Sequence, residues 1–509
     1  MNKFLLGCTI LSILIILAGM NRGFDISDEG LYALLAVPDQ ENIAGIFNYD
    51  LFFKLFYRIT GIEFGLIGLR ILRLIFYFFS ALSLGIFWRN ITYAKKLELN
   101  IILISFLGVS AGYAFLPSSL SYNSLTVFAA CVLVANLTMT PKKAAHLVML
   151  GVSLSILFYA KITVCISLGL LSIAYLIVKK EFNWKVILSV AGPFIVLELL
   201  FFLVLQENAS MRILQGLEQV QLRPDYKFFL LLKYTMVGIF WFVLAALPFL
   251  ILRLIPFKNA RYQKIVELLG LIFLGVIGYL TWITDEWNHL ILIATTALIG
   301  SQLGGRTKLI LNLDQKLGLV ILLLMPFFLH FGSNVYFLRL GIHYWVFWVL
   351  AFFYLLFLRK VKIYKVAFPM IGLLSVALVV NGIWISPFEQ ERLWRATKNW
   401  EYKEGKTILI SESQHAMLEN LKKYTTDEKS ILTFYRIPGI AYLLGKTIPK
   451  SPGYWDKEQL EFYYPEGITN KLIINHSIDY LPIPGLGDHY QKQLLFMPDS
   501  SKLQVLWRD

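Results

Sequence analysis

Charge is what this sequence has least of. Only 16% of its 509 residues are charged, whereas 57% are hydrophobic and 15% aromatic. A soluble chain of this length carries roughly a quarter charged residues, and the mean hydropathy of +0.64 points the same way. An ordinary water-soluble enzyme is excluded. Cysteine is also scarce: Cys8, Cys131 and Cys165 each lie in an apolar run, which leaves neither a disulfide framework nor a zinc spacing. No His-rich metal pattern, internal repeat or low-complexity tract is present.

What is present in abundance is apolar sequence in long runs. These fall at about 4–20, 65–87, 100–116, 120–138, 145–158, 163–178, 186–205, 229–251, 265–283, 289–303, 317–331, 343–358 and 366–384. A bilayer is crossed by about twenty apolar residues, so about thirteen transmembrane helices are expected. The first run, Phe4 to Met20, has no small-residue cleavage site after it and reads as an uncleaved span. The formal net charge of +14 has a definite location. Residues 1–384 hold 31 basic and 17 acidic residues, whereas residues 385–509 hold 16 of each. Arg89, Lys95, Lys96, Lys142, Lys143, Arg253, Lys258, Arg261, Lys264, Arg359, Lys360, Lys362 and Lys365 fall in alternate short loops. Cations gather in cytoplasmic loops. The excess is therefore a topology signal, and no nucleic-acid partner is expected. An odd span count puts the two termini on opposite sides, and the charge bias places the N-terminus in the cytoplasm and the C-terminus outside.

After about residue 385 the hydropathy collapses. Lys406–Ser411, Ser430–Tyr435 and Lys471–Asn475 read as strands, and Gln414–Tyr424 as an amphipathic helix. A short helix is expected after Pro438-Gly439. The expected fold class is thus a polytopic α-helical membrane protein with a small C-terminal α/β extracytoplasmic domain. Residues 1–384 form the membrane domain, including a first outer loop at 21–64, and residues 385–509 form the outer domain. Within that loop, Phe47–Arg58 suits a helix lying along the membrane interface. A second outer loop, 206–228, reads as a polar helix closed by Arg223-Pro224.

The sharpest local signal is Gly23-Phe-Asp-Ile-Ser-Asp-Glu-Gly-Leu-Tyr32, with Asp25, Asp28 and Glu29 within five residues of one another. Carboxylates at a membrane surface are either solvated markers of the boundary or chemically used. Arg70 and Arg73 lie near the outer end of the second span. A charge within a span costs about 2.5–3.5 kcal/mol on insertion scales, so each arginine either binds an anion or snorkels to headgroups. Lys161 is the one charge in its turn, on the side where cations are rare. His330-Phe-Gly-Ser-Asn-Val-Tyr336 either holds a ligand through His330 and Asn334 or only turns between spans. Thr284–His289 reads as a boundary marker. Glu198 and Lys233, in or near spans, either pair with each other or serve another role.

Several of these stretches resemble the C-superfold membrane glycosyltransferases of the protein O-mannosyltransferase and aminoarabinose-transferase type. In that family the first outer loop opens with an Asp-Glu pair followed by a Tyr, as Asp28-Glu29 and Tyr32 stand here. An Arg precedes a Ser-Ala-Leu-like stretch, as do Arg70 and Arg73 before Ser80-Ala81-Leu82. A Lys often stands where Lys161 does, and Pro438-Gly-Ile-Ala-Tyr-Leu-Leu-Gly-Lys446 is similar to a stretch of the family's outer domains. The resemblance implies an enzyme of a bacterial inner (plasma) membrane that transfers a sugar from a polyprenyl-phosphate donor to a lipid, glycan or protein acceptor by an inverting single displacement, with Asp28 as base and Glu29 and Asp25 as rivals. It implies Arg70, Arg73 and Lys161 at the phosphate, and Tyr32, Tyr122, Asn123, His330 and Asn334 as further substrate contacts. Segment 119–124 lacks an acidic residue that some members carry, so no metal site is assigned and a divalent metal stays open. The competing expectation is a transporter or flippase of lipid-linked envelope precursors, although such proteins usually show internal repeats and mid-span polar residues.

Overall fold

The structure, a computed structural model, describes residues 2–45, 47–222, 227–254, 260–284, 286–304, 309–361, 364–425, 428–476, 483, 486 and 489–508. Arg223-Pro224, Lys258, Asp285 and Lys362 of the sequence reading lie outside them. Every apolar run is helical. In chain order the helices are α1 (Lys3–Ala18), α2 (Asp28–Leu35), α3 (Asp50–Thr60), α4 (Leu66–Thr92), α5 (Leu99–Ser110), α6 (Tyr122–Leu137), α7 (Ala144–Ala160), α8 (Ile162–Val178), α9 (Trp184–Leu205) and α10 (Ala209–Leu222). They continue as α11 (Phe228–Leu254), α12 (Ala260–Thr284), α13 (Trp287–Leu303), α14 (Leu313–His330), α15 (Phe337–Leu340), α16 (Trp345–Leu358) and α17 (Tyr364–Val380). Polar side chains start several of them: Asn2 caps α1, Asn183 caps α9, and Ser121/Ser124 and Asn312/Gln315 form capping boxes on α6 and α14.

Among the described residues, seven helical stretches are long and apolar enough to cross a bilayer: 66–92, 184–205, 228–252, 261–284, 313–330, 337–358 and 366–385. The other apolar runs form helices of 17 residues or fewer, apart from the 3-10 extension of α5. At 1.5 Å per residue such a helix reaches about 25 Å, a little short of a hydrocarbon core of about 30 Å. The membrane class follows at this coarser level. The stretch 337–358 is 94% buried and forms the hub, whereas 184–205 is 11% buried. A helix so apolar and yet so uncovered is one whose faces meet lipid.

Strands occur only in the C-terminal part of the described chain. β1 (Lys398–Lys403) pairs antiparallel with β2 (Lys406–Ile410). A second sheet has the order β3 (Leu432–Phe434), β4 (Leu472–Asn475), β6 (Lys502–Trp507), β5 (Gln491–Phe496). β3 and β4 run parallel, with α19 (Pro438–Leu443) and α20 (Lys457–Tyr463) in the crossover, and α18 (Glu412–Lys422) precedes them. The strands and helices expected around 406–411, 414–424, 430–435, 438 and 471–475 are all present. β1 and the β5–β6 hairpin are not among the expected strands: Lys-Asn-Trp-Glu-Tyr-Lys alternates but has only Trp400 and Tyr402 as apolar residues, and Gln-Lys-Gln-Leu-Leu-Phe does not alternate.

The first outer loop and the C-terminal region pack as one layer. Asn21–Gly23 runs beside β2, with Gly23 N–H donating to Leu409 O (2.8 Å) and Leu409 N–H to Asn21 O (2.9 Å). Gln40 exchanges hydrogen bonds with the backbone of Ile448. A shared apolar core joins Phe24, Tyr32, Leu34 and Leu51 to Ile410, Leu432, Ile440 and Ile474. The acidic motif, expected in a loop, opens a helix. Glu198 serves another role: its carboxylate accepts from Tyr159 Oη (2.6 Å) and from the amides of Ala209 and Ser210, so it caps α10 rather than meeting Lys233. Arg212 then ties α10 to α3 through Asp50 (2.7 Å).

Candidate active site

The three carboxylates of the acidic motif part company because a helix turns 100° per residue. Asp25 precedes α2 and is fully buried. Its oxygens accept from the amides of Ser27 (2.8 Å) and Glu29 (3.0 Å), which makes it the cap of the helix. Glu29, also fully buried, takes both Nε (2.9 Å) and Nη2 (2.8 Å) of Arg70. Arg70 sends its remaining hydrogens to the carbonyls of Met20, Arg22 and Gly23. All five of its donors are thereby used within the chain. Through these bonds Asp25, Glu29 and Arg70 fix α2 to α4 and to the end of α1.

Asp28 is left over. It is half-buried, and among the described residues no donor reaches its carboxylate. Burial raises its pKa to about 7; Glu389 pushes in the same direction and Arg436 opposes. Burial, reinforced by Asp28, holds Asp25 well above the usual carboxylate range despite its two amide donors. A carboxyl group with a pKa near neutrality is suited to accept a proton at physiological pH.

One turn beyond Asp28, Tyr32 is buried and meets Tyr122 edge to face (6.2 Å), and Tyr122 stacks on Phe47 (4.4 Å). Tyr122 begins α6, so its neighbour Asn123 lies at the same helix end. Both amide atoms of Asn123 are buried without a hydrogen bond, as are Tyr49 Oη, Ser119 Oγ and Tyr344 Oη. Tyr344 ends the 3-10 turn Gly341–Tyr344, which packs against α6. An unsatisfied buried polar group costs about 1–3 kcal/mol. Several such polar groups gather around the start of α6.

Tyr77 leads on to Arg73, fully buried one turn of α4 beyond Arg70. Its guanidinium lies 4.1 Å from the Tyr113 ring centre and donates to Tyr77 Oη (3.0 Å), Gly112 O (2.9 Å) and Pro117 O. Lys161 breaks the chain between α7 and α8, and Nζ donates to Leu329 O (3.0 Å) and His330 O (3.4 Å). Among the described residues neither cation forms an ion pair. His330 is buried, with Nε2 against Val335 O (2.9 Å) and Nδ1 unpartnered, while Asn334 is half-buried in the following turn.

The structure thus brings Asp28, Tyr32, Tyr122 and Asn123 into one neighbourhood and extends it through Tyr344 and Tyr77 to Arg73. Lys161, His330 and Asn334 form a second group at the α7–α8 break. The two meet through the first outer loop, where Asn48 N–H donates to Tyr159 O (2.9 Å). Sequence reasoning missed Glu389, Arg436, Tyr49 and Tyr344. Arg436 stands two residues before Pro438-Gly439, and that adjacency was the available signal. Among the described residues no three His, Cys, Asp or Glu side chains converge as a metal site.

Comparison with known proteins assigns no relative: no family model matches the chain, and no curated protein matches it.

Proposed function

We propose that this chain is a multi-pass inner-membrane glycosyltransferase of the C-superfold type. It takes a sugar from a polyprenyl-phosphate donor and passes it to an acceptor on the non-cytoplasmic face. In this reading the thirteen apolar helices span the membrane, the N-terminus is cytoplasmic, and the layer of first loop and C-terminal region lies outside. The acceptor hydroxyl oxygen bonds to the anomeric carbon as the bond from that carbon to the phosphate oxygen breaks. The hydroxyl proton passes to Asp28, and the polyprenyl phosphate departs with its negative charge. This single displacement inverts the anomeric centre.

The observation that carries the reading is Asp28 itself. It is held by a cap and an ion pair on its neighbours, is left without a hydrogen-bond partner among the described residues, and is raised to a pKa of about 7. Two further features support it. Arg73 and Lys161 are buried cations without a carboxylate partner among the described residues, an arrangement that favours binding of an anion. Positive charge beside a departing phosphate stabilises the transition state. The buried orphan hydroxyls and amide between Asp28 and Arg73 suit a sugar ring.

The test is transfer by the purified protein, reconstituted in lipid, from labelled polyprenyl-phosphate sugars to lipid, glycan and protein acceptors. Transfer that Asp28→Asn abolishes is the expected result. A folded protein that transfers from none of the donors overturns the reading, and movement of the intact donor across the bilayer would make the chain a transporter instead.

A further inference from the structure

The layer formed by the first loop and the C-terminal region contains two adjoining hollows. One, of about 580 Å³, lies between the loop before α2, the segment after α17 and the start of α19; Glu389, Gln390, Glu391, Arg436, His476 and Asp499 line it. The other, of about 410 Å³, shares Arg436 and His476 with the first and adds Tyr435 and Trp455. Together they make a cleft in the size range of small-molecule sites. Ser27, the residue before the proposed base, also lines the first hollow, and Glu389 and Arg436 are charges that act on Asp28.

From this we infer that the cleft is the acceptor site and that it takes a neutral or amine-bearing sugar. The inference rests on the glycosyltransferase reading and narrows its acceptor. Each hollow holds one buried polar atom without a partner: Gln390 Oε1 in the first and Tyr435 Oη in the second. The first can only accept a hydrogen bond, and the second can donate one. A ligand that satisfies both must donate and accept at neighbouring points, as sugar hydroxyls do. Gly23 leaves room for Gln390, since a Cβ there would come within 2.3 Å of Gln390 Oε1.

Charge decides between a sugar and a phosphorylated ligand. The larger hollow carries the carboxylates of Glu389, Glu391 and Asp499 against Arg436 and His476, a balance that disfavours an anion. The lipid phosphate is left to the buried cations of the membrane part. The backbone supports a built site. Glu389, Tyr435 and Arg436 all adopt left-handed conformations, with φ of 45°, 62° and 65°. Such strain in non-glycine residues persists where surrounding structure holds it, and it gathers at ligand sites.

The protein in lipid nanodiscs is titrated with chitotriose, with its fully de-N-acetylated amine form and with inorganic phosphate, and binding is followed by saturation-transfer NMR for the sugars and by phosphorus NMR for phosphate. The expected result is binding of at least one trisaccharide and none of phosphate. Arg436→Ala and Gln390→Leu weaken that binding about tenfold or more with the thermal midpoint unchanged, and Asp28→Asn retains it. Failure of both trisaccharides to bind, preferential binding of phosphate, or sugar binding that both cleft variants leave intact overturns the proposal. Sugar binding lost in the cleft variants, in a protein that transfers from no polyprenyl-phosphate donor, supports the cleft and removes the glycosyltransferase reading. Transfer with an acceptor KM unchanged in both variants keeps that reading and removes the cleft.

Discussion

Asp25, Asp28 and Glu29 are chemically alike and close in sequence, yet the fold gives each a different fate. Two are consumed by backbone amides and by Arg70, and the third is left with a raised pKa. Asp28→Asn is expected to lower the transfer rate by about 10²–10⁴-fold, the range for loss of a general base. In the wild type, the rate should rise with pH through about 7 as Asp28 ionises and then level off; a profile flat from pH 5 to 9 would count against it. The same group has a stability signature. Because its folded pKa lies above the ordinary carboxylate value, the native state binds more protons than the unfolded state between that value and about 7, and stability falls as pH rises through this window. Asp28→Asn should therefore match the wild type near pH 4 and melt at a higher temperature near pH 8. Arg70→Ala is expected to behave in the opposite way. It strands a fully buried Glu29, which should destabilise the fold by about 3–5 kcal/mol, read as a lowered melting temperature.

At the scale of elements, α2 owes its position to a close crossing with α19. A Cβ on Gly30 would come within 2.2 Å of Gly439 N, and one on Gly439 within 2.6 Å of Ile26 Cα. Gly439 N–H donates to Ile26 O (2.8 Å) across the same contact. Backbone cannot yield as a flexible side chain does. Gly439→Ala is therefore expected to destabilise the layer by about 1–3 kcal/mol and to lower activity by displacing α2, while Gly169→Ala in α8 should leave activity unchanged, since a Cβ there meets open space. Equal activity in Gly439→Ala and wild type would break the link between crossing and site. The Pro-Gly motif was visible in the sequence, and so was the acidic motif. That they pack on each other was not visible, because about four hundred residues separate them and no periodic pattern records a contact of that range.

For the whole molecule, the proposed topology places the C-terminal layer and the loop after α4 on opposite sides of the membrane. Gln493 and Lys96 are both exposed. In intact spheroplasts, a membrane-impermeant maleimide should label Gln493→Cys and spare Lys96→Cys until the cells are opened. The native Cys8 and Cys131 are buried and Cys165 is half-buried in α8, so background labelling should be low. The reverse pattern would invert the topology and put Asp28 in the cytoplasm.

By itself the sequence determined the membrane class, the position of every apolar helix, the change to mixed strands and helices after residue 385, and the acidic motif worth attention. These are local properties: runs of apolar residues, helix caps and turn residues act over one element. The tertiary structure decided which carboxylate stayed free, which arginine was spent, that Glu198 caps α10, and that Arg436 and Glu389 act on Asp28. Each of those outcomes depends on a partner distant along the chain, and a side chain's charge state and availability are set by the groups that fold places around it.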